Sequence, residues 1–324
     1  MPPRDTVQYA VFGKLPEEAD FVRMGANNHS CVLEFDALLS RSLAYASQQP
    51  GWDKARYLRA NISEFSFTSH DRRWCYFGAL MPSVDKAGRF YPIVAGIILP
   101  AHAVLPIVPE LTIANELFLV GLQELLPSLR DATDVSCLCQ PFFTEQCALN
   151  NGMQDEIDLA KQMLSHRLAV TTTLQLQDQL DENALSPLDD ILMAFIYQAE
   201  LTRRLGTNAP RQAIPLPLSG KQGEGALDEA VWLALCRAAA GKNRTADFII
   251  ANQYQLILAP NRFNERCLSA LWGIPAKPVL DEPPWHSECG WAETAWALGR
   301  QLQDPALTLD NLIPSLERIS GNSK

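Results

Sequence analysis

Ser83, Asp85 and Arg89 are the residues whose types and spacing come nearest to a reactive set. A serine, a carboxylate and a guanidinium on one short segment are components of hydrolases and of phosphoryl-transfer enzymes. That chemistry also needs a base, and no histidine accompanies these three residues in the local sequence. Ser83 and Asp85 equally suit a turn, where their side chains accept hydrogen bonds from nearby backbone N–H groups. The turn explains both residues with fewer assumptions, and an enzyme remains the alternative.

Two glycine-containing segments do not have the spacing of nucleotide-binding loops. Gly13-Lys14 lacks the upstream glycine and the following Ser or Thr of a P-loop, so its lysine has no phosphate cradle. The glycines of residues 220–225 are wrongly spaced for a dinucleotide loop, and they follow a proline-rich segment rather than a strand. We therefore expect no nucleotide cofactor.

Metal-ligating residue types are present, but their spacing does not predict a metal site. The five histidines stand singly, and the eight cysteines are scattered through mostly apolar segments. Cys137 and Cys139 form a CxC pair, not the paired CxxC spacing of a zinc ribbon. The acidic loop 17–20 has no second acidic or histidine cluster to complete a site. We expect no metal, and thiols that act as small buried hydrophobes in a reducing compartment.

The elements that must position Ser83, Asp85 and Arg89 are two long apolar runs on either side of them. Residues 74–81 and 91–99 are rich in aromatic and β-branched side chains and are bounded by turn residues, which predicts strands. Neither run alternates cleanly, so both faces should be covered, in the centre of a sheet with helices against it. The polar link between them contains proline and glycine and predicts a rigid hairpin tip.

The spacing of apolar residues predicts the secondary structure of most of the remaining chain. A strand is predicted over 7–12, and a half-exposed strand over 62–68, with Glu64 and Ser66 outward. Helices are predicted near 31–48, 52–59, 111–125, 142–164, 188–204, 227–239, 261–272, 291–302 and 310–319. Two short strands are predicted over 248–251 and 254–259, residues 206–225 are the most loop-like segment, and 174–180 fits a strand or a helix.

These elements predict an α/β (α+β) fold with two domains. The first, residues 1–150, would be a central, largely antiparallel sheet flanked by helices. The second, residues 151–324, would be a smaller, mixed, helix-rich α/β domain.

Composition narrows the function classes. The 324 residues are 47% hydrophobic and 20% charged, which is typical of a globular protein. The 27 basic and 37 acidic residues leave a net charge of −10, which disfavours a general nucleic-acid binder. No apolar h-region follows the N-terminus, and prolines interrupt the longest apolar stretches. We therefore expect a cytoplasmic protein without a membrane span.

Three segments, in matching order, carry a resemblance to a known family. Gly13-Lys14-Leu15-Pro16 and Asp20-Phe21-Val22 resemble a "GKLP…GDFV" opening, and residues 34–39 resemble a "WD-x-WL" helix. Residues 74–92 are similar to a "G-x-L-x-PSVD-x-x-GR-x-(F/Y)P" block. These are motifs of the TagF (ImpM) family, accessory proteins of bacterial type VI secretion systems. Ala19 stands in place of a usual glycine, and Phe35 in place of a tryptophan.

The resemblance implies a binding function rather than catalysis. Proteins of the TagF family act as post-translational repressors of type VI secretion, in some systems by binding the cytoplasmic forkhead-associated scaffold protein Fha. If the strands that precede the two motif loops, residues 13–21 and 82–90, are neighbours, the loops would form one patch at one end of the sheet. The predicted partner-binding residues of that patch are Lys14, Leu15, Asp20, Phe21, Ser83, Asp85, Lys86, Arg89 and Phe90.

Two other interpretations remain open for the same residues. Asp20 or Asp85 would pair with Arg89 and hold the motif loops together, which would make the motifs a signature of the fold. As a structural subunit of the secretion apparatus, the protein would instead copurify with the machine in stoichiometric amounts.

Overall fold

The computed structural model describes residues 7–150, 153–206, 209, 211–219, 224–241, 247–251, 254–272, 274, 283–286 and 289–321. Its strands are β1 Gln8–Gly13, β2 Val22–Gly25, β3 Ser63–Thr68, β4 Trp74–Met81, β5 Ile93–Pro100, β6 Ile214–Pro217, β7 Asp247–Ala251 and β8 Gln255–Ala259. Within the described ranges these strands form a single antiparallel sheet in the order β2-β1-β5-β4-β3-β7-β8-β6. The predicted α/β fold with a central antiparallel sheet is confirmed.

Helices cover both sides of this sheet. They are α1 Ser30–Ser47, α2 Lys54–Leu58, α3 Ala101–Val104, α4 Val108–Ala114, α5 Glu116–Ser128, α6 Val135–Asn150, α7 Gln154–Val170, α8 Thr173–Glu182, α9 Leu188–Leu205, α10 Gly225–Ala240, α11 Cys289–Leu302 and α12 Leu309–Ile319. Short 3-10 helices cover Leu105–Ile107, Leu129–Asp131, Cys267–Trp272 and Pro284–His286. Some helices lie directly against the strands and others, such as α7, α11 and α12, against other helices.

The two apolar runs lie side by side in the middle of the sheet. β4 and β5 pair along their whole length, from Trp74 opposite Pro100 to Met81 opposite Ile93. Their side chains alternate between two separate cores, so that Phe77 faces one and Tyr76 the other. One core lies under α1, α2 and the helix Cys267–Trp272, and the other under the helices that follow β5. Helices on both faces explain why neither run alternates.

The same burial overturns the prediction of a half-exposed β3. Glu64 and Ser66 do not face solvent, because α5 and α10 lie over that side of the strand. Ser66 is buried, and the Glu64 carboxylate accepts a hydrogen bond from Gln123 Nε2 of α5 at 2.6 Å. In β3 the polar residues that alternate with apolar ones therefore face helices rather than water.

The structure corrects two predicted segments and decides a third that fitted either a strand or a helix. The helix predicted over 261–272 is restricted to its last six residues, because the Asn264 side chain accepts from the N–H groups of Arg266 and Cys267 and forms a turn instead. The loop-like segment contains β6, whose two prolines are compatible with an edge strand. The segment left open near 174–180 is α8, begun by a capping box of Thr172 and Gln175.

The sheet continues across the predicted domain boundary. β6, β7 and β8 come from the second half of the chain, and β7 pairs with β3 through Ser66 opposite Phe248. A boundary at residue 150 falls between α6 and α7 rather than between two sheets. The division into two domains stays a prediction.

No single helix of the described residues is long and apolar enough to cross a membrane. The bent pair 101–114 and 116–131, whose halves meet at 67°, meets the length and composition criteria only when taken together.

Candidate functional site

The two motif loops lie next to each other at one end of the sheet. β1 pairs antiparallel with β5, so the end of β1, where the first motif loop begins, lies beside the start of β5, where the second ends. The backbone N–H of Lys86 donates to the carbonyl of Glu18 at 3.1 Å and joins the loops directly. Gly13 allows this approach: its φ is +138°, and a Cβ there would lie 2.1 Å from the Pro92 carbonyl oxygen. The two loops are adjacent, as predicted, but the strands that precede them are not neighbours: β5 lies between β1 and β4 and pairs antiparallel with both, so both loops leave the same end of the sheet.

Asp85 is the centre of the contact between the loops. Its Oδ2 lies 3.0 Å from Lys14 Nζ of the first loop and accepts from Arg89 Nε at 2.6 Å. Its Oδ1 accepts the backbone N–H groups of Ala87 and Arg89 at 3.0 and 2.9 Å, which closes the turn around Gly88. Arg89 also reaches back with Nη2, which donates to the Ala19 carbonyl at 3.0 Å. One carboxylate thus organises the second loop and ties it to the first.

These contacts keep Asp85 ionised although it is buried. Burial by itself raises the pKa of a carboxyl group, but the Arg89 N–H and the Lys14 and Arg89 side chains outweigh it. The pKa of Asp85 therefore lies well below its usual range. The two cations differ in setting, since the Lys14 side chain is 15% exposed and that of Arg89 is 63% exposed. Lys14 is the inner partner and Arg89 the outer one.

The predicted site residues fall into three groups by exposure. Asp20, Lys86 and Arg89 are exposed. Lys14, Phe21 and Phe90 are partly exposed. Leu15, Ser83 and Asp85 are buried. The first six residues can meet a partner directly, whereas the last three support the loops from within; binding by any of them stays a prediction.

Phe21 and Phe90, the two aromatic residues of the predicted patch, pack against other aromatic side chains. Phe21 lies between Phe12 and Tyr91, with ring centroids 6.3 and 5.2 Å away. Phe90 contacts Trp52 and Tyr57 edge-on, with ring centroids 6.1 and 5.4 Å away. Such contacts hold both rings in defined positions.

Sequence reasoning missed Trp52 and Tyr57, which come from the segment between α1 and β3. Tyr57 is fully buried; its hydroxyl donates to the Ser83 carbonyl and accepts from the Ser83 N–H, both at 3.3 Å. Nothing in their local sequence links them to residue 83 or 90, because they meet the second motif loop only in the folded chain.

The arrangement offers little support for chemistry at Ser83. Its side chain is buried, and its Oγ has no hydrogen-bond partner among the described residues, so no base is positioned to activate it. Asp85 is held by two cations. In the described part of the chain, no group of three or more His, Cys, Asp or Glu side chains is placed to hold a metal ion. The geometry is that of a braced pair of loops.

Residues 10–141 match the TagF N-terminal domain family, described as type VI secretion system-associated. This part of the chain is a TagF N-terminal domain. The matched range contains both motif loops and β1 to β5, so the resemblance seen in the motifs is confirmed there. The TagF domain also contains the braced carboxylate and its two cations.

A solved structure, that of PA0076 from Pseudomonas aeruginosa PAO1, is similar to this chain at 27% identity with a TM-score of 0.36. The similarity covers 41% of this chain and 60% of that one. No curated protein matches the chain.

Proposed function

We propose that this protein is a non-catalytic regulator that represses type VI secretion after translation. It would act in the cytoplasm by binding a forkhead-associated scaffold protein of the Fha type. The observation that supports this proposal is the TagF domain, whose family is associated with type VI secretion, with its two motif loops joined into one surface.

The structure of the loops favours binding over turnover. The exposed members of the site carry opposite charges, Asp20 against Lys86 and Arg89, and stand beside the partly buried rings of Phe21 and Phe90. A few apolar anchors ringed by polar groups are sufficient for most of the affinity of a protein interface. Rigid loops also add to affinity, since less conformational freedom is lost on binding.

Secretion of the tube protein tests the proposed function. Overproduction of the chain should reduce the amount of tube protein outside the cell, and deletion should raise it. The same comparison in a strain without the scaffold protein, together with a pull-down from both strains, tests the partner. Unchanged secretion on both overproduction and deletion would contradict the proposal.

The enzyme alternative has its own test. Ser83→Ala removes the candidate nucleophile from a buried position where a smaller side chain fits. We expect full repression by this variant. Loss of repression with an unchanged melting temperature would favour a hydrolase or phosphoryl-transfer enzyme that uses Ser83, Asp85 and Arg89.

A further inference from the structure

A shallow groove of about 370 Å³ opens beside the second motif loop. One wall is the last two turns of α1, with Leu43, Ala44 and Ser47, and the other is Trp52 with Phe90 and Tyr91. We call it the aromatic groove. Ala44 and Ser47 are exposed, and Leu43, Trp52 and Phe90 are partly exposed. A partner's side chain can therefore reach the aromatic surface.

The walls of the aromatic groove are held in place. The Tyr91 hydroxyl donates to the backbone carbonyl of Asp36 at 3.0 Å and also to its carboxylate, and it accepts from Ser40 Oγ at 3.4 Å. These bonds fix the second motif loop to α1. Phe90 is held by edge contacts with Trp52 and Tyr57. Phe90 and Tyr91 are thus fixed before binding, which limits the entropy lost when the groove is occupied.

The charge around the groove is basic on a protein that is acidic overall. The charged residues between positions 35 and 59 are four bases and two acids: Asp36, Arg41, Asp53, Lys54, Arg56 and Arg59. Both acids have hydrogen-bond donors within the protein: Asp36 accepts from the Tyr91 hydroxyl, and Asp53 caps α2 by accepting from the N–H groups of Ala55 and Arg56. Lys54 Nζ lies 5.1 Å from the centre of the Phe90 ring. Since the whole chain carries −10, this local excess of positive charge favours a negatively charged occupant.

One donor in the wall also lacks an acceptor. The indole N–H of Trp52 is shielded from solvent and has no hydrogen-bond partner among the described residues. A buried donor without an acceptor destabilises the protein. If the Trp52 ring turns its N–H towards the groove, a carboxylate or backbone carbonyl of an occupant supplies the acceptor, while the hydrogen bonds that fix Tyr91 to α1 remain in place.

We infer that the aromatic groove binds an acidic segment of a partner protein that inserts an apolar side chain between α1 and Phe90. This inference rests on the proposed function, since it names the surface through which the regulator holds its partner. The apolar side chain contacts Leu43, Ala44 and Phe90, and the acidic groups face Lys54 and Arg41. The carboxylates of the first motif loop do not line the groove.

The inference is tested by measuring the affinity of the full chain for the purified Fha-type scaffold after negative charge is introduced at the groove. Ala44→Glu and Lys54→Glu should each weaken binding about tenfold or more, since each opposes an acidic segment. The matched control is Arg300→Glu in α11, where Arg300 makes a similar contact with Trp296 at 5.0 Å. α11 belongs to the core on the side of the sheet opposite α1, so this variant should bind within about twofold of the wild type.

Two further measurements separate the inference from a structural effect. Trp52→Phe keeps an aromatic side chain but is smaller than indole and lacks the N–H; removal of the unpaired donor offsets the lost packing, so the melting temperature should change by no more than a few degrees, while binding should weaken several-fold. Raising NaCl from about 0.05 to 0.5 M should weaken wild-type binding, because salt screens the attraction between exposed charges. Wild-type affinity for Ala44→Glu and Lys54→Glu, or binding that salt does not change, would overturn the inference.

These experiments distinguish an error in the proposed partner from an error in the proposed binding groove. If the wild type binds the scaffold and Ala44→Glu binds equally well, the groove is wrong and the proposed function stands. If the wild type does not bind the scaffold, the partner is wrong, and repression of secretion decides the groove. Loss of repression in Ala44→Glu and Lys54→Glu, but not in Arg300→Glu, then supports it, and unchanged repression in all three overturns it.

Discussion

At the scale of residues, the carboxylate of Asp85 holds together the motif residues of the two loops. Asp85 accepts four hydrogen bonds, two from backbone N–H groups of its own loop and two from the side chains of Lys14 and Arg89. This supports the interpretation in which the motif residues brace the loops. It leaves the outer face of the same loops available to a partner, because Lys86 and Arg89 remain exposed.

Lys14 and Arg89 should therefore contribute unequally to stability. Lys14→Met leaves Asp85 buried without its inner cation and should lower the melting temperature by several degrees. Arg89→Ala removes an outer, largely exposed cation, whose attraction solvent screens, and should lower it much less. Thermal unfolding followed by circular dichroism measures both. A larger loss for Arg89→Ala than for Lys14→Met would contradict the roles of inner and outer partner.

The depressed pKa of Asp85 gives this brace a pH dependence. A carboxyl group whose pKa is lower in the folded state stabilises the protein above its unfolded pKa of about 3.9, and this stability is lost as the pH falls through the folded pKa. The free energy of unfolding of Asp85→Asn should thus be lower than that of the wild type between about pH 5 and 8. The difference should shrink below about pH 3.9. Chemical denaturation at several pH values measures it; a difference that grows in acid would be the wrong sign.

At the scale of elements, a buried carboxyl group lies where α10 packs on the sheet. Glu229 of α10 is 1% exposed, and its Oε1 has no hydrogen-bond partner among the described residues. Burial, followed by the charge of Glu64 on β3, raises the pKa of Glu229 well above its ordinary value. The interface between α10 and the sheet is therefore less stable than a neutral side chain of the same shape would make it.

Glu229→Gln should stabilise the protein at neutral and alkaline pH. A carboxyl group with a raised folded pKa contributes stability below its unfolded pKa of about 4.3, and this contribution is lost as the pH rises through the folded pKa. The variant should hence have a higher melting temperature than the wild type at pH 8, and the gain should vanish towards about pH 4.3. Glu145→Gln, on an exposed position of α6, is the control and should change little. A loss of stability in Glu229→Gln at pH 8 would show that the carboxylate has a partner.

At the scale of the whole molecule, the two halves of the chain share one sheet. β3 pairs with β4 on one side and with β7 on the other, so the second half supplies the neighbour of a central strand. α10, from the same half, belongs to the core that includes Phe77 of β4. The TagF domain in this chain thus shares its sheet and one of its cores with residues beyond it.

A fragment of residues 1–150 tests whether the predicted first domain is independent. Without β7 and α10, the edge of β3 and the apolar side of β4 would be exposed. We expect the fragment to aggregate or to bind a hydrophobic dye, whereas the full chain elutes as a defined species and unfolds cooperatively. Size-exclusion chromatography and thermal unfolding compare the two. A soluble fragment with a cooperative transition within a few degrees of the full chain would support the division at residue 150.

Local patterns determined the elements of this protein and part of its site. The uninterrupted runs around β4 and β5 predicted central buried strands, because only a sheet with two covered faces removes the alternation of side chains. The motif residues predicted the family and the adjacency of the two loops. Among the misassigned positions, Glu64 and Phe263 form hydrogen bonds with distant elements, and the Asn264 side chain adds a local turn in place of a helix.

Only the tertiary structure decided which motif residues are internal and what stands beside them. Asp85 and Arg89 are only four positions apart in the motif, yet one is buried and the other exposed, since the first loop closes over the carboxylate and leaves the guanidinium outside. Trp52 and Tyr57 reach the second loop from a segment about 30 residues earlier in the chain. Burial and long-range contact depend on how elements pack, and a local pattern contains no information about packing partners far along the chain.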